Sequence, residues 1–162
     1  MKQDQLKAWQ PEQFDRFVRI LEQDQLNHAY LFSGFFGSLE MAQFLAKSLF
    51  CTDKVGVLPC EKCRNCKLIE QEEFPDVTLI KPVNQVIKTE RIRELVGQFS
   101  QAGIESQQQV FIIEQAEKMH PNAANSLLKV IEEPQSEVHI FLLTADEQLV
   151  LQIGRASCRE RV

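Results

Sequence analysis

The chain reads as an α/β protein, a parallel sheet flanked by helices, interrupted by one inserted cysteine module. Three observations predict this. Short apolar runs alternate with stretches of helical periodicity, the pattern of successive β-α-β units. One of those runs, Val110 to Ile113, is continuously apolar, as a strand covered on both faces must be. Four cysteines then crowd into the sixteen residues from Cys51 to Cys66 and break the rhythm.

Each element follows in order. Phe14, Phe17, Val18 and Leu21 recur at helical spacing, and Pro11 can start that helix. Ala29 to Ser33 reads as a buried strand ending at Gly34. A helix follows from about Ser38 to Phe50, with Met41, Leu45 and Leu49 along one face. Beyond the cysteines, Asp76 to Ile80 is a second strand. Thr89 can cap a helix whose inner stripe is Ile92, Leu95, Val96 and Phe99. The strand at Val110 leads to a helix with Pro121 in its first turn, Ala124, Leu127, Leu128 and Ile131 inward, and Pro134 as its stop. Val138 to Leu143 is the last strand.

The 162 residues suffice for one domain with a real core, and 44% apolar with 25% charged content is ordinary for a globular protein. No apolar run approaches the roughly 20 residues of a membrane span. MKQDQLKAWQ has neither an apolar signal region nor a cleavage site, so a cytoplasmic location is expected. A net charge of −5 argues against tight autonomous binding to nucleic acid, which takes a basic face. Lys88, Arg91 and Arg93 read as a solvated helix start rather than a DNA patch.

Cys51, Cys60, Cys63 and Cys66 form a C-x8-C-x2-C-x2-C cluster. As thiolates they can complete a tetrahedral shell around zinc, and four sulfurs leave no open position for water, so the metal is expected to be structural. Lys54, Lys62, Arg64 and Lys67 flank the cluster and offset its negative charge. The alternative is a pair of disulfides, which an oxidising compartment would favour. His28, His120 and His139 fall at a strand entry, a helix start and a strand interior, and read as structural residues rather than partners in cysteine–histidine catalysis.

Gly34-Phe-Phe-Gly37-Ser-Leu-Glu40-Met41 lies between strand and helix, where a phosphate loop belongs. The working pattern is G-x-x-x-x-G-K-[ST], with glycine amides around the phosphates, a lysine for charge and a hydroxyl for Mg²⁺. Register from Gly34 puts Leu39 at the second glycine, Glu40 at the lysine and Met41 at the hydroxyl. A lysine-to-glutamate exchange replaces attraction with repulsion, each about 4 kcal/mol for a pair near 4 Å at an effective dielectric of about 20. The next strand ends in Glu114-Gln115-Ala116-Glu117, where an ATPase needs adjacent acids for Mg²⁺ and water. Gln115 stands in the catalytic acid's place. No ATP binding is expected.

Val110 to Pro134, VFIIEQAEKMHPNAANSLLKVIEEP, resembles a signature of the bacterial clamp-loader ATPases of the AAA+ class. Active relatives read like I-I-D-E-A-D there, followed by a helix ending L-L-K-x-x-E-E-P. His28 to Gly34 is similar to that family's entry strand into its phosphate loop, and the cysteine spacing matches its zinc module. Val138 to Thr144 resembles the strand carrying its sensor-1 polar residue, which places Thr144 there. The resemblance covers about residues 10 to 151. It implies an AAA+, P-loop NTPase-like first domain over residues 1–153, with the zinc module at about 51–66 inserted. On that resemblance, the family's lid and oligomerisation collar are expected to be absent from this stretch.

The implied role is a non-catalytic stator subunit of the DNA polymerase III clamp loader, helping to load the sliding clamp onto primed DNA. It would be a component of the holoenzyme, a DNA-directed DNA polymerase, without being an enzyme itself. The implied partners are the gamma/tau and delta subunits and, through the assembly, the sliding clamp and primer–template DNA. An active gamma/tau-like ATPase is the alternative, and a freestanding zinc-bearing nucleic-acid binder is a third reading.

Residues 154–162, GRASCRERV, lack periodicity and read as a foreign tail left by truncation, so Cys158 is not counted as a ligand. The family presents a Ser-Arg-Cys motif soon after this point. Here the order is Ser157-Cys158-Arg159, so neither Arg155 nor Arg159 is assigned an arginine-finger role.

Overall fold

The computed structural model describes residues 2–34, 37–98, 107–132 and 137–146. Helix α1 (Lys2–Trp9) breaks at Gln10, and Pro11 then opens α2 (Pro11–Glu22) from the position where a missing N–H is harmless. Strand β1 (Ala29–Ser33) runs into α3 (Ser38–Phe50), and the cysteine segment carries a short helix, α4 (Arg64–Glu70). There follow β2 (Val77–Ile80), α5 (Thr89–Gln98) and β3 (Gln108–Ile113). A 3-10 turn at Ala116–Lys118 leads to α6 (Pro121–Glu132) and β4 (Glu137–Thr144).

All strand pairs are parallel and the order is β1-β4-β3-β2. Alternation along the strands splits the core in two. Ala29, Leu31, Phe111, Ile113, Ile140 and Leu142 face α5 and α6, meeting Ile92, Leu95, Ala124 and Leu127. Tyr30, Phe32, Val110, Ile112, Phe141 and Leu143 face the other way, toward Phe14, Phe17, Met41 and Leu45. Phe17 is fully buried, edge-on to Tyr30 at 5.3 Å and to Phe32 at 5.8 Å between centroids. The sheet is therefore covered by helices on both faces, as the apolar runs require.

The strands and the four longer helices fall where periodicity places them. Asp76 lies just outside β2, although its carbonyl accepts the Val110 amide at 2.8 Å. Two helices escaped the periodicity. α1 has Leu6 as its one fully buried apolar contact, and α4 is seven residues long inside the cysteine segment. Phe99, Pro134, Phe35, Phe36 and the tail 154–162 lie outside the described residues. Among those described, no helix is long and apolar enough to cross a membrane.

In this topology the chain leaves β1 on one side of β4 and returns through β2 and β3 on the other. The crevice beyond the carboxyl ends of β1, β3 and β4 is the place where open α/β sheets bind ligands.

Candidate functional site

α3 joins two candidate sites, one at each end. At its carboxyl end Cys51 caps the helix, its amide donating to the Lys47 carbonyl at 2.8 Å. Cys63 caps the start of α4 and accepts the Cys66 amide at 3.4 Å, so one short turn brings both sulfurs to the same side. The four Sγ atoms lie within 4.8 Å of one another. Cys51 Sγ is 3.5 Å from Cys60 Sγ and 3.9 Å from Cys63 Sγ. A tetrahedron with zinc–sulfur bonds of about 2.3 Å has edges of about 3.8 Å. The observed separations bracket that edge and far exceed a disulfide bond of about 2.05 Å. All four cysteines are free thiols.

Backbone amides converge on the sulfurs. Asp53 and Cys60 donate to Cys51 at 3.4 and 3.3 Å, and Lys62 and Cys63 donate to Cys60 at 3.4 and 3.2 Å. Such donors favour the thiolate, whereas burial favours the thiol. At Cys63 burial pushes upward, but the Cys66 and Thr52 amides and the Thr52 hydroxyl outweigh it and bring the thiol down to about 6. At Cys66 burial wins and the thiol is raised, as it is at Cys51. A bound cation would deprotonate such thiols outright. Donor set, spacing and amide pattern fit a structural zinc ion.

At the other end of α3 lies a pocket of about 150 Å³, lined by Gly34, Ser38, Leu39, Glu114, Gln115 and Thr144 among others. Small-molecule sites more often span about 300–1,000 Å³. Gly34 closes β1 with φ 105, and its amide donates to the Thr144 carbonyl at 2.8 Å. Gly37 caps α3 at φ 79, a left-handed conformation that favours glycine, while a Cβ there would have only to displace the flexible end of the Gln10 side chain. Gln115 is left-handed at φ 50, turning the chain out of β3. Burial raises the Glu114 carboxyl above the ordinary carboxylate range, opposed by Lys81 and assisted by Glu72 and Glu40.

The loop positions expected from the sequence are not all brought together. Gly34, Leu39, Glu114, Gln115 and Thr144 meet at the pocket, and Glu40 acts on Glu114 through its charge. Met41 turns away into the apolar core, 1% exposed. Glu117 does not line the pocket but accepts the Thr144 hydroxyl at 2.6 Å. Sequence reasoning missed that bond, because residues 27 apart share no local pattern. It also missed buried Lys47, which lies opposite the Met41, Leu45 and Leu49 stripe of α3 and is enclosed by Glu61 and Glu70 of the cysteine segment. Each of the three histidines bonds to backbone. His28 and His139 Nδ1 bond to the Val138 and Asn27 carbonyls at 3.1 and 2.9 Å, and His120 Nδ1 accepts the Asn122 amide at 3.2 Å.

A family model described as DNA polymerase III, delta subunit, matches residues 9–160. DNA polymerase III subunit delta' of Bacillus subtilis is 41% identical over 157 residues, covering 96% of this chain and 47% of the relative. The chain belongs to the DNA polymerase III delta-prime subunit family. Another member, subunit delta' of Pseudomonas aeruginosa, is 30% identical over 81% of this chain and 41% of its own length. The tau/gamma subunit of Haemophilus influenzae is 36% identical over 88% of this chain, which is 22% of that protein. A gamma subunit-related protein of Thermotoga maritima shares the fold, with a TM-score of 0.59, 21% identity, and coverage of 94% of this chain and 45% of that one. The chain thus spans at most about half the length of the curated relatives named here.

Proposed function

We propose that this chain is the first domain of a non-catalytic clamp-loader subunit, a stator with a structural zinc module and no working ATP site. The observation that carries the reading is the acidic wall of the pocket, where Glu114 lines the site and Glu40, in the lysine position, bears on it only through its charge. A polyphosphate entering there would meet the Glu114 carboxylate where a P-loop supplies a cation. Gln115 replaces the catalytic acid, and the Thr144 hydroxyl, the sensor position, is already engaged by Glu117. Gly34 and Gly37 then remain as turn residues, and Glu114, Gln115 and Glu117 as a vestigial acidic motif. Cys51, Cys60, Cys63 and Cys66 hold zinc, which fixes the inserted segment to the end of α3.

On this reading residues 1–153 are the AAA+ frame and 154–162 are foreign to it. The whole protein adds a lid and a collar through which it joins gamma/tau and delta subunits. A frame that does not respond to nucleotide keeps one shape while its neighbours move, and that helps the loader open a sliding clamp at primer–template DNA. The 36% identity to a tau/gamma subunit favours the second reading, an active ATPase. Reconstitution separates the two. With the full-length subunit, loaders of gamma/tau and delta are expected to show raised DNA- and clamp-stimulated ATP turnover. The subunit alone is expected to show none. Equal turnover with and without it, or hydrolysis by the isolated subunit, contradicts the stator.

A further inference from the structure

Lys47 is the one buried cation among the described residues, 2% exposed in the last turn of α3. Lysine is almost never fully buried unless paired. Its Nζ lies 3.5 Å from a carboxylate oxygen of Glu61 and 3.5 Å from one of Glu70, and Glu70 is the last residue of the helix that carries Cys66. The Lys47 carbonyl accepts the amide of Cys51. One residue of α3 therefore touches the cysteine module through its backbone and its side chain.

Glu61 stands between Cys60 and Cys63 with its side chain only 9% exposed. Its backbone is left-handed, φ 59, where glycine is the default and a side chain is strained. Strain of this kind persists only where the surroundings impose it. Here one carboxylate oxygen both pairs with Lys47 and accepts the Gln3 amide at 3.1 Å, so α1 and α3 hold the side chain from two directions. With the residue held there, the turn presents the next two amides to sulfur: the Lys62 and Cys63 N–H groups donate to Cys60 Sγ at 3.4 and 3.2 Å.

We propose that Lys47 and Glu61 are a positioning pair for the metal. The ion pair fixes Glu61 in its left-handed turn, and the turn keeps the Lys62 and Cys63 amides on Cys60 Sγ while setting Cys60 and Cys63 in register to ligate. This rests on the reading of the cysteine cluster as a zinc site. Outer contacts of this type change metal affinity by about 10–100-fold when removed.

Glycine at position 61 gives a test whose sign discriminates. A bystander Glu61 would merely be strained, and Glu61→Gly would relieve it, leaving zinc as tightly held as before or tighter. A positioning Glu61 predicts the reverse. Zinc transfer from the loaded chain to a chromogenic chelator is followed for wild type, Glu61→Gly and Glu61→Gln, with circular dichroism monitoring the fold. Both variants are expected to release zinc about 10–100-fold faster with an unchanged helical signal. Where Glu61→Gly does not fold, Glu61→Gln decides, since it keeps the shape and removes the charge. Release at or below the wild-type rate overturns the pair while leaving the zinc site intact. A wild-type chain that carries no stoichiometric zinc overturns the zinc reading and the pair together.

Discussion

The two ends of α3 are built from similar materials, a tight turn, backbone amides and a few polar side chains, but they are arranged in opposite ways. At the carboxyl end the amides of Asp53, Cys60, Lys62, Cys63 and Cys66 point at sulfurs, and the sulfurs face one another. A cation bound among them would balance the charge they carry as thiolates. At the amino end the groups answer each other. The Gly34 amide bonds the Thr144 carbonyl, the Thr144 hydroxyl bonds Glu117, and Glu114 in the wall feels the like charge of Glu40. Residue type alone does not mark a ligand site. What marks it is a set of groups left aimed at a common point, with charge of one sign to be balanced by the ligand.

The largest effect that would sharpen this contrast is metal removal. Structural zinc contributes apparent binding energies of about 10–16 kcal/mol in zinc-finger peptides, and that energy is coupled to folding. Chelation, or Cys63→Ser, is expected to abolish amide protection across residues 51–71. β3 and β4 should keep theirs, because they have their own apolar core. Hydrogen-exchange mass spectrometry reads both regions at once. Protection in the cysteine segment that survives metal removal breaks the contrast from the metal side.

Next is Thr144→Val, which preserves shape and removes the hydroxyl. It leaves Glu117 without its 2.6 Å donor and the Asp146 amide without its 3.0 Å acceptor. Loss of about 1–3 kcal/mol is expected, read as a lower urea midpoint at unchanged slope. An unchanged midpoint would mean that the pocket's bonds do not stabilise the fold.

A smaller effect comes from Glu114. Burial raises its folded pKa above the ordinary 4.5, so the native state holds the proton more tightly than the unfolded chain does. Its contribution is fully present below pH 4.5 and is lost as pH climbs through the raised value. Glu114→Gln is therefore expected to stabilise at neutral pH, with a gain that vanishes in acid. A gain independent of pH would point to packing instead. The smallest effect is expected from Glu40→Lys, which should leave ATP hydrolysis at zero because Leu39, Met41 and Gln115 are unchanged. Rescue by that single substitution would show that the loop register is wrong.

Much of the frame was legible because burial imposes periodicity. Phe14 and Phe17, Val110 to Ile113, and Ala124 to Ile131 each bury the face their spacing predicts. The cysteines were legible because ligation demands a fixed residue type at short separation. The rest depended on contacts between distant positions. Glu117 meets Thr144 across 27 residues, and Gln3 meets Glu61 across 58. Lys47 carries no local signal of its burial, because the two acids that enclose it come from the cysteine segment. Met41 shows the converse. Aligned by register to a phosphate loop, it belongs to the core, because helical phase rather than motif register decides which way a side chain turns.

Native mass spectrometry of the chain in the presence of Mg²⁺ and ATP tests the central claim most directly, because one spectrum reports both ends of α3. The expected species carries one zinc ion and no nucleotide, and acidification releases the metal as the four thiolates take up protons. A chain that appears metal-free, or that carries ATP beside its zinc, contradicts the account.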